Sequence, residues 1–486
     1  MAKRKRHPSK STNSNHTSLE KHTRAGSKLM PPLAQLPNMN PSSWRDNRLP
    51  EMIWAGLLFS TLPRNNVFKK MKELVTYLSK YRDSENPIFN ISLSGIAQMP
   101  LDKQEEIIHL ISTPDEFAKA LSPLLLFDSL PIKDKWEKYL SLHTPEWKPL
   151  MVSVAKLLDH QSQESTDCRW VRVVCMIAAG QLSFPKEMEE VVKGIVYYPD
   201  YGDLRVVRPT IRSTEGGLAQ LLDQESSWSN EFWAECLEKT GCFPLLRSNQ
   251  ETFNSVTTIE KIKSVYSDSI DICNKTRITT AVDSKHETIF GMIFYSLRLL
   301  MELMRTNASQ SISAQLVLRS LVECYITLTY LIKKGDDTLW KSYRVFGSGQ
   351  AKLSYLKLEL NSETTNYVNV ETLQELANED IWEEFLPIEL GHWTNSNLRK
   401  LSEEAGIKEI YDQYYPWTSS YLHGHWGSIR DTVYETCGNP LHRLHRIPST
   451  QLQSLPDVLP DACRIVDLIL GIASSCYPEI QLRVSS

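Results

Sequence analysis

Apolar side chains recur at steps of three and four residues along most of this chain, and this period restricts the fold more than any other feature. One such stripe consists of Val67, Met71, Leu74, Val75 and Leu78. A spacing near 3.6 residues places side chains on one face of an α-helix, whereas a strand alternates every second residue. Prolines separate the stripes, and no sustained alternation occurs. The sequence therefore predicts an all-α fold made mainly of short helices.

The composition is that of an ordinary globular protein. Of the 486 residues, 41% are hydrophobic and 23% are charged, which excludes collagen-like and wholly disordered classes. No apolar run approaches the roughly 20 residues that cross a bilayer, because the richest run, 291–304, is interrupted by Arg298 and Glu302. The nine cysteines are scattered and form no C-x-x-C pair, which favours reduced thiols. We expect a cytoplasmic protein that does not bind a membrane.

Positive charge is concentrated at the N-terminus. Residues 1–45 contain nine Lys or Arg and one acidic residue, whereas the remainder of the chain is acidic overall. The same segment is rich in Ser, Asn and Pro and has no apolar period, so it cannot bury enough surface to offset its ordering entropy. We therefore expect a disordered basic tail over residues 1–45.

Helical patterns divide the rest of the chain into three parts. We expect a stack of short helices over 46–250, a connecting helix over 251–280 and a helical bundle over 281–486. The bundle would begin with two long helices, 284–305 and 311–333, whose short polar connection favours antiparallel packing. The later helices of the bundle are predicted at 338–360, 371–384, 396–404, 407–427 and 460–475.

Common nucleotide-binding and catalytic motifs are absent from the sequence. It contains no Walker-type loop, no G-x-G-x-x-G after a strand, no H-E-x-x-H and no G-x-S-x-G. The glycines between Gly347 and Lys352 lack both the Walker spacing and a preceding strand. We interpret that stretch as a loop or a helix interruption.

A dense group of His and Arg residues lies near the C-terminus, where four of the 12 histidines fall between positions 423 and 445. Imidazole moves protons near neutral pH, and guanidinium offers a permanent fork for phosphate or carboxylate. If 407–427 is one helix, Ser420, His423 and Gly427 share a face. The group therefore favours an anionic ligand.

A charged pair interrupts the apolar pattern of the helix predicted at 311–333. Arg319 and Glu323 lie four residues apart and must either pair with each other or line a polar cavity. Arg344, on the next segment, adds a cation that we expect to face the same cavity. The sequence thus predicts that these groups and His423 meet in one hollow of the bundle.

Three segments carry a resemblance to a known family. The stretch Leu318 to Tyr325, the pair Tyr343-Arg344 and the run Ser420-x-x-His423-Gly424 resemble the bacterial family catalogued as domain of unknown function 5677. The resemblance covers about residues 280–475 and implies a helical domain, without an activity because none is assigned to the family. The helical hairpins with Arg and His are also similar, more distantly, to the HEPN superfamily (higher eukaryote and prokaryote nucleotide-binding).

The similarity to HEPN proteins implies a HEPN-like bundle, a homodimer and a setting in toxin or phage-defence systems. Many members are ribonucleases that need no metal. Their signature is an Arg followed four to six residues later by a His on one helix. Here Arg443 precedes His445 by only two residues, and His423 has no Arg at that distance.

Two functions follow from these residues. In the first, the C-terminal domain binds an anionic ligand (a nucleotide, RNA or a partner), and a protein partner docks on the N-terminal helical domain. The ligand-binding residues would be Arg344, Ser420, Arg430, His442, Arg443 and His445. In the second, the bundle is a metal-independent, HEPN-like ribonuclease that cleaves RNA. Its catalytic residues would be His423 and His425 as acid–base groups, Arg319 with Arg430 for phosphate charge, and Glu323.

Zinc binding is a third hypothesis. The H-x-H and H-x-x-H spacings, together with Cys437 and His442, supply enough nitrogen and sulfur donors. Two rings in an H-x-H on a helix, however, point about 200° apart, which disfavours a shared ion. We therefore expect neither a bound metal nor a cofactor.

Overall fold

The structure, a computed structural model, describes most of the chain. The described residues are 19–32, 43–82, 90–182, 184, 186–222, 227–245, 257–305, 308–360, 367–379, 385–394, 396–450 and 454–485. Much of the predicted disordered tail, at 1–18 and 33–42, and the end of the helix predicted at 371–384 lie outside them. Within the tail, Thr23–Ala25 (β1) and Lys28–Met30 (β2) form an antiparallel hairpin, so residues 19–32 are more ordered than expected.

Two compact units make up the chain. The N-terminal unit comprises Met1–Leu245 together with Thr436–His445, and the C-terminal unit comprises Leu246–Glu435 together with Arg446–Ser486. The bundle was predicted as continuous from 281 to 486, whereas ten of its residues return to the N-terminal unit. The described part of the predicted connecting helix packs on the first long helix of the C-terminal unit. The all-α class is confirmed.

In the N-terminal unit the described α-helices follow one another with short connections. They are α1 Leu49–Glu51, α2 Ile53–Thr61, α3 Arg64–Ser79, α4 Leu93–Ala97, α5 Leu101–Ser112, α6 Asp115–Leu121, α7 Lys133–Leu140, α8 Trp147–Leu158, α9 Gln163–Ala178, α10 Glu189–Val196, α11 Leu204–Leu222 and α12 Ser227–Lys239. The apolar helix α2 is buried from Ile53 to Phe59, against α8 and α9. Helix α11 includes Pro209 in its interior.

Buried charges join the helices of the N-terminal unit. The Glu215 carboxylate on α11 is 1% exposed and accepts hydrogen bonds from Arg48 and from Arg172. Arg169 on α9 lies 3.5 Å from the same carboxylate. Because a buried carboxylate without partners would be costly, these ion pairs hold α11 against α9 in one register.

The C-terminal unit contains nine described α-helices, one of which is long, apolar and central. They are α13 Ile259–Thr276, α14 Ser284–Arg305, α15 Ile312–Lys334, α16 Asp337–Glu359, α17 Val370–Ala377, α18 Leu398–Glu404, α19 Lys408–Leu422, α20 Trp426–Val433 and α21 Leu459–Ala473. Strands β3 Tyr434–Thr436 and β4 Arg446–Pro448 form a small sheet. Helix α15 packs against α14, α18, α19 and α21.

The hairpin of α14 and α15 confirms the prediction from the apolar period. Ser311 caps α15 by accepting a hydrogen bond from the Ala314 amide, and Gly335 ends it in the left-handed region. Among the described residues, α15 is the one helix long and apolar enough to cross a membrane. In its most apolar window, 67% of the residues are buried inside the fold, as is typical of a core helix.

Two local predictions in the C-terminal unit are wrong. The stretch Gly347 to Lys352 is the uninterrupted middle of α16, where a Cβ on Gly349 would lie 2.7 Å from the Pro387 carbonyl oxygen. This glycine permits a close approach of two backbones and does not break the helix. The helix predicted at 407–427 ends at Leu422, because Gly424 has a φ of +58°. Ser420, His423 and Gly427 therefore do not share a helical face.

Candidate functional site

Four side chains with metal-binding atoms meet in the N-terminal unit: Cys242, Cys437, His442 and His445. One donor atom from each lies within 4.8 Å of all the others. The Cys242 Sγ is 3.2 Å from His442 Nδ1 and 3.3 Å from His445 Nε2. The Cys437 Sγ is 3.4 Å from His442 Nδ1. We call these four residues the CCHH cluster.

Backbone pairing brings the two parts of the CCHH cluster together. The Leu245 amide donates to the Thr436 carbonyl at 2.9 Å, and the Gly438 amide donates to the Phe243 carbonyl at 2.7 Å. A Cβ on Gly438 would lie 2.7 Å from the Phe243 ring, so a larger residue there would have to displace the exposed Phe243 side chain. Leu441, fully buried, anchors the returning segment in the hydrophobic core of the N-terminal unit.

Hydrogen bonds around Thr240 determine which nitrogen of His442 carries its proton. The Thr240 hydroxyl donates its one proton to the Cys236 carbonyl at 2.6 Å. Its oxygen accepts from the Asn439 amide nitrogen at 3.0 Å and lies 2.9 Å from His442 Nε2. Since that oxygen can only accept from the ring, Nε2 bears the hydrogen. The lone pair of Nδ1 then points to the two sulfur atoms.

The turn between the two histidines is strained. Arg443 and Leu444 are consecutive non-glycine residues with φ of +53° and +54°. Such left-handed conformations cost roughly 1–2 kcal/mol per residue for L-amino acids. The side chain of Arg443 is held by an ion pair with Asp46. The turn brings both rings to the Cys242 Sγ, with their centroids 5.1 Å apart.

Burial shifts the pKa values of two members of the CCHH cluster, Cys242 and His445. Desolvation raises the pKa of the Cys242 thiol, and the adjacent Cys437 thiol raises it further. Desolvation lowers the pKa of His445, and a charge on His442 would lower it further. The Cys242 thiol therefore keeps its proton near pH 7, and His445 remains uncharged.

Arg319 and Glu323 pair with each other on α15, as one of the two interpretations predicted. Arg319 Nε donates to Glu323 at 2.9 Å, Nη2 donates to the Tyr415 hydroxyl at 2.6 Å, and the guanidinium lies 4.4 Å from the Tyr415 ring centroid. Nη1 is buried and has no hydrogen-bond partner among the described residues. Arg344 does not join this group, since it pairs with Glu287 and with Glu379 at 3.2 Å.

His423 and His425 lie at the break between α19 and α20. Both are exposed, and their rings stack with centroids 5.7 Å apart and planes 26° apart. Ser420 is buried and donates to the Trp417 carbonyl at 2.7 Å, so it holds the end of α19. Arg430 is partly buried on α20. No hydrogen bond or ion pair between described residues joins the two histidines to Arg319 or Glu323.

The predicted single site is therefore divided. Arg319 and Glu323 share one location on α15, while His423 and His425 share another at the α19–α20 break. His442, Arg443 and His445 belong to the N-terminal unit, although they follow His425 closely in sequence. The short pairing with 243–245 and the burial of Leu441 draw them there.

A cleft in the C-terminal unit was not predicted from the sequence. It lies between α13 and α14 and has a volume of about 530 Å³. Its charged lining consists of three cations and one carboxylate: Lys263, Arg298, Arg305 and Glu302. The Tyr266 ring forms part of its wall, where the Tyr266 hydroxyl accepts a hydrogen bond from Arg298 Nε at 3.1 Å.

Cys242 is the residue that sequence reasoning missed in the CCHH cluster. The zinc hypothesis considered Cys437, His442 and both the H-x-H and the H-x-x-H spacings, and it discounted a metal because of the H-x-H pair. The decisive spacing was Cys437-x-x-x-x-His442-x-x-His445. The fourth ligand atom comes from 200 positions before His442, and no local signal marks it.

Comparisons with known proteins identify one family. No curated protein and no solved structure matches this chain significantly. The similarity to HEPN proteins stays a prediction. One family model covers the chain from within α14 to Gly438, which lies in the segment that returns to the N-terminal unit. Residues 291–438 match the Family of unknown function (DUF5677), which confirms the family resemblance of the C-terminal region.

Proposed function

We propose that the C-terminal unit binds a small phosphate-bearing molecule, specifically a nucleoside phosphate, in the cleft between α13 and α14. The observation that carries this proposal is the charge of the cleft: three cationic side chains face a single carboxylate. The volume of about 530 Å³ is within the range of roughly 300–1,000 Å³ that small-molecule sites occupy. The proposal keeps the predicted class of ligand, an anion. Its binding residues, however, are not those predicted from the sequence.

The cleft offers two kinds of contact. Guanidinium groups bind phosphate oxygens with paired hydrogen bonds, and Arg298 is already oriented by its bond to Tyr266. The Tyr266 ring packs 5.4 Å from Phe294, which holds one aromatic face at the cleft wall. An aromatic face beside a cation suits a base and its phosphate. The proposal therefore names a nucleotide and not a free carboxylate.

Calorimetric titration with AMP, ATP and inorganic phosphate tests this proposal. We expect ATP to bind most tightly, with an affinity that falls as salt concentration rises. Arg298→Glu and Lys263→Glu should each weaken binding at least tenfold. Lys275→Glu is the matched control, because Lys275 is an exposed cation on the same helix α13 outside the cleft.

Two results would overturn the proposal. One is the absence of binding by all three compounds at millimolar concentration. The other is binding that survives both cleft variants but is lost in Arg319→Gln, which would move the site to the buried guanidinium on α15.

A metal-independent ribonuclease is the second candidate function, favoured by the exposed stacked pair His423 and His425. Two imidazoles at this separation can divide the roles of base and acid, provided RNA reaches both. We expect RNA cleavage that persists in EDTA and is lost in His423→Ala. An inert protein, or a fully active His423→Ala variant, contradicts this function.

A further inference from the structure

We propose that the CCHH cluster binds one Zn²⁺ ion in a four-coordinate structural site. The ion would join Cys242, which follows α12, to the segment 436–445 that returns to the N-terminal unit. This inference concerns the N-terminal unit alone and is independent of the proposed nucleotide site.

The distances between the donor atoms fit a tetrahedral zinc ion. Zn–S bonds of about 2.3 Å and Zn–N bonds of about 2.0–2.1 Å give sulfur–nitrogen edges of roughly 3.5–3.6 Å in a tetrahedron. The three measured sulfur–nitrogen distances are 3.2, 3.3 and 3.4 Å. These three edges need shifts of only a few tenths of an ångström, and every other pair of donor atoms lies within 4.8 Å.

The surroundings prepare His442 to be a ligand. Thr240 holds the Nε2 hydrogen, as metal-bound imidazoles require from a neighbouring acceptor. Asn439 holds Thr240 in turn and also donates to the Gly241 carbonyl at 2.9 Å, next to Cys242. A second layer of hydrogen bonds therefore fixes both parts of the chain that supply ligands.

The donor types select the metal. Two thiolates and two imidazoles suit Zn²⁺, whereas Mg²⁺ and Ca²⁺ prefer oxygen ligands. Four protein donors fill a tetrahedral shell and leave no position for water or substrate, which is typical of a structural ion. On binding, each of the two thiols releases one proton to solvent. The two negative sulfur atoms then balance the two positive charges of the ion, so the buried Cys437 carries no uncompensated charge.

Elemental analysis of the full-length protein, purified under reducing conditions, tests the site. We expect one zinc per chain. Replacement by Co²⁺ should give the absorption of a tetrahedral ion with thiolate-to-metal charge transfer. In Cys242→Ser the zinc content should fall well below one ion per chain. Cys242 is exposed, so this variant is expected to fold, which circular dichroism checks.

His423→Ala and Cys476→Ser are the matched controls. They remove the same types of donor from the C-terminal unit and should keep one zinc per chain. The inference is overturned if reduced wild-type protein holds no zinc after incubation with it. A mass two hydrogens lower that maps to a Cys242–Cys437 disulfide under the same reducing conditions also overturns it. So does a Cys242→Ser variant that retains one zinc and the cobalt spectrum.

Discussion

At the scale of single residues, Thr240 shows how one hydroxyl can prepare a metal ligand. Its proton goes to the Cys236 carbonyl, and its oxygen accepts from two sides. Threonine supplies a hydroxyl on a stiff side chain, so the acceptor stays in place. None of this is visible in the sequence, where Thr240 is an unremarked residue after a helix.

Thr240→Ala should weaken zinc binding about 10- to 100-fold, because such supporting hydrogen bonds contribute that much to metal affinity. Thr240→Ser should retain most of the affinity, since it keeps the hydroxyl. Competition with a coloured chelator measures both. Equal zinc affinities for the alanine variant and the wild type would show that zinc binding does not depend on the hydrogen bond from His442 Nε2 to Thr240.

Cys324 illustrates how burial controls reactivity at one atom. Desolvation and then the adjacent Glu323 charge raise the pKa of the Cys324 thiol to about 12. The thiolate, which is the reactive form, is therefore scarce at pH 8. Iodoacetamide should modify Cys324 more slowly than Cys476, which is also partly exposed. Glu323→Gln should increase the rate of Cys324 modification, because it removes a charge that opposes thiolate formation. Peptide mass spectrometry follows both cysteines. An unchanged Cys324 rate in this variant would contradict the effect of the Glu323 charge on the thiol.

At the scale of elements, the break between α19 and α20 decides where the histidines near 423 point. His423 is the C-cap residue after α19, and His425 is the N-cap residue before α20, so neither follows the geometry of a continuous helix. The glycine between them makes the break possible, because its φ of +58° is rarely adopted by other residues. The Ser428 hydroxyl then spans the break, since it lies 2.8 Å from both the Ser420 and the His425 carbonyl oxygens and can donate to either.

Gly424→Ala should destabilise the C-terminal unit by about 1–2 kcal/mol, the cost of a left-handed alanine. A Cβ at this position meets no atom within 4 Å, so the loss comes from the backbone alone. Gly291→Ala is the control: it is also free of contacts, but it lies inside α14 and should stabilise by about 0.5–1 kcal/mol. Denaturant unfolding followed by circular dichroism compares the two variants. Changes of the same sign in their free energies of unfolding would contradict this account.

At the scale of the whole molecule, the chain returns to its N-terminal unit after building most of the C-terminal one. The returning residues carry three of the four CCHH ligands, and the fourth is 200 positions away from His442. In the chain-entropy model, a covalent link across a loop of this length stabilises by about 5 kcal/mol. A metal link is reversible, so we expect zinc to contribute only part of the stabilisation that a covalent link would give.

Removing the ion with a chelator under reducing conditions should therefore lower the unfolding temperature of the N-terminal unit by several degrees. Added zinc should restore it. Hydrogen exchange locates the effect: amides around Cys242 and 436–445 should lose protection, while those of α15 should not. Loss of protection in α15 alone, or no loss anywhere, would contradict a structural role for zinc.

Much of the fold could be predicted from local signals. The apolar period located the α14–α15 hairpin to within a residue at each end, since long amphipathic helices are specified by their own side chains. The paired charges Arg319 and Glu323 were also predictable, because they are four residues apart on one helix. The role of the glycines in α16 and the break at Gly424 could not be predicted from the sequence. The same residue type permits close backbone packing in α16 and forms a left-handed turn at Gly424.

The sequence by itself determined the helical class, the positions of the long helices and the supply of sulfur and nitrogen donors near the C-terminus. Only the tertiary structure decided which of those donors meet. Helical periodicity depends on residues within a few positions, whereas the CCHH cluster depends on a pairing of 243–245 with 436–438 and on the burial of Leu441. Such long-range contacts are selected by the packing of the whole unit, so no short stretch of sequence reveals them.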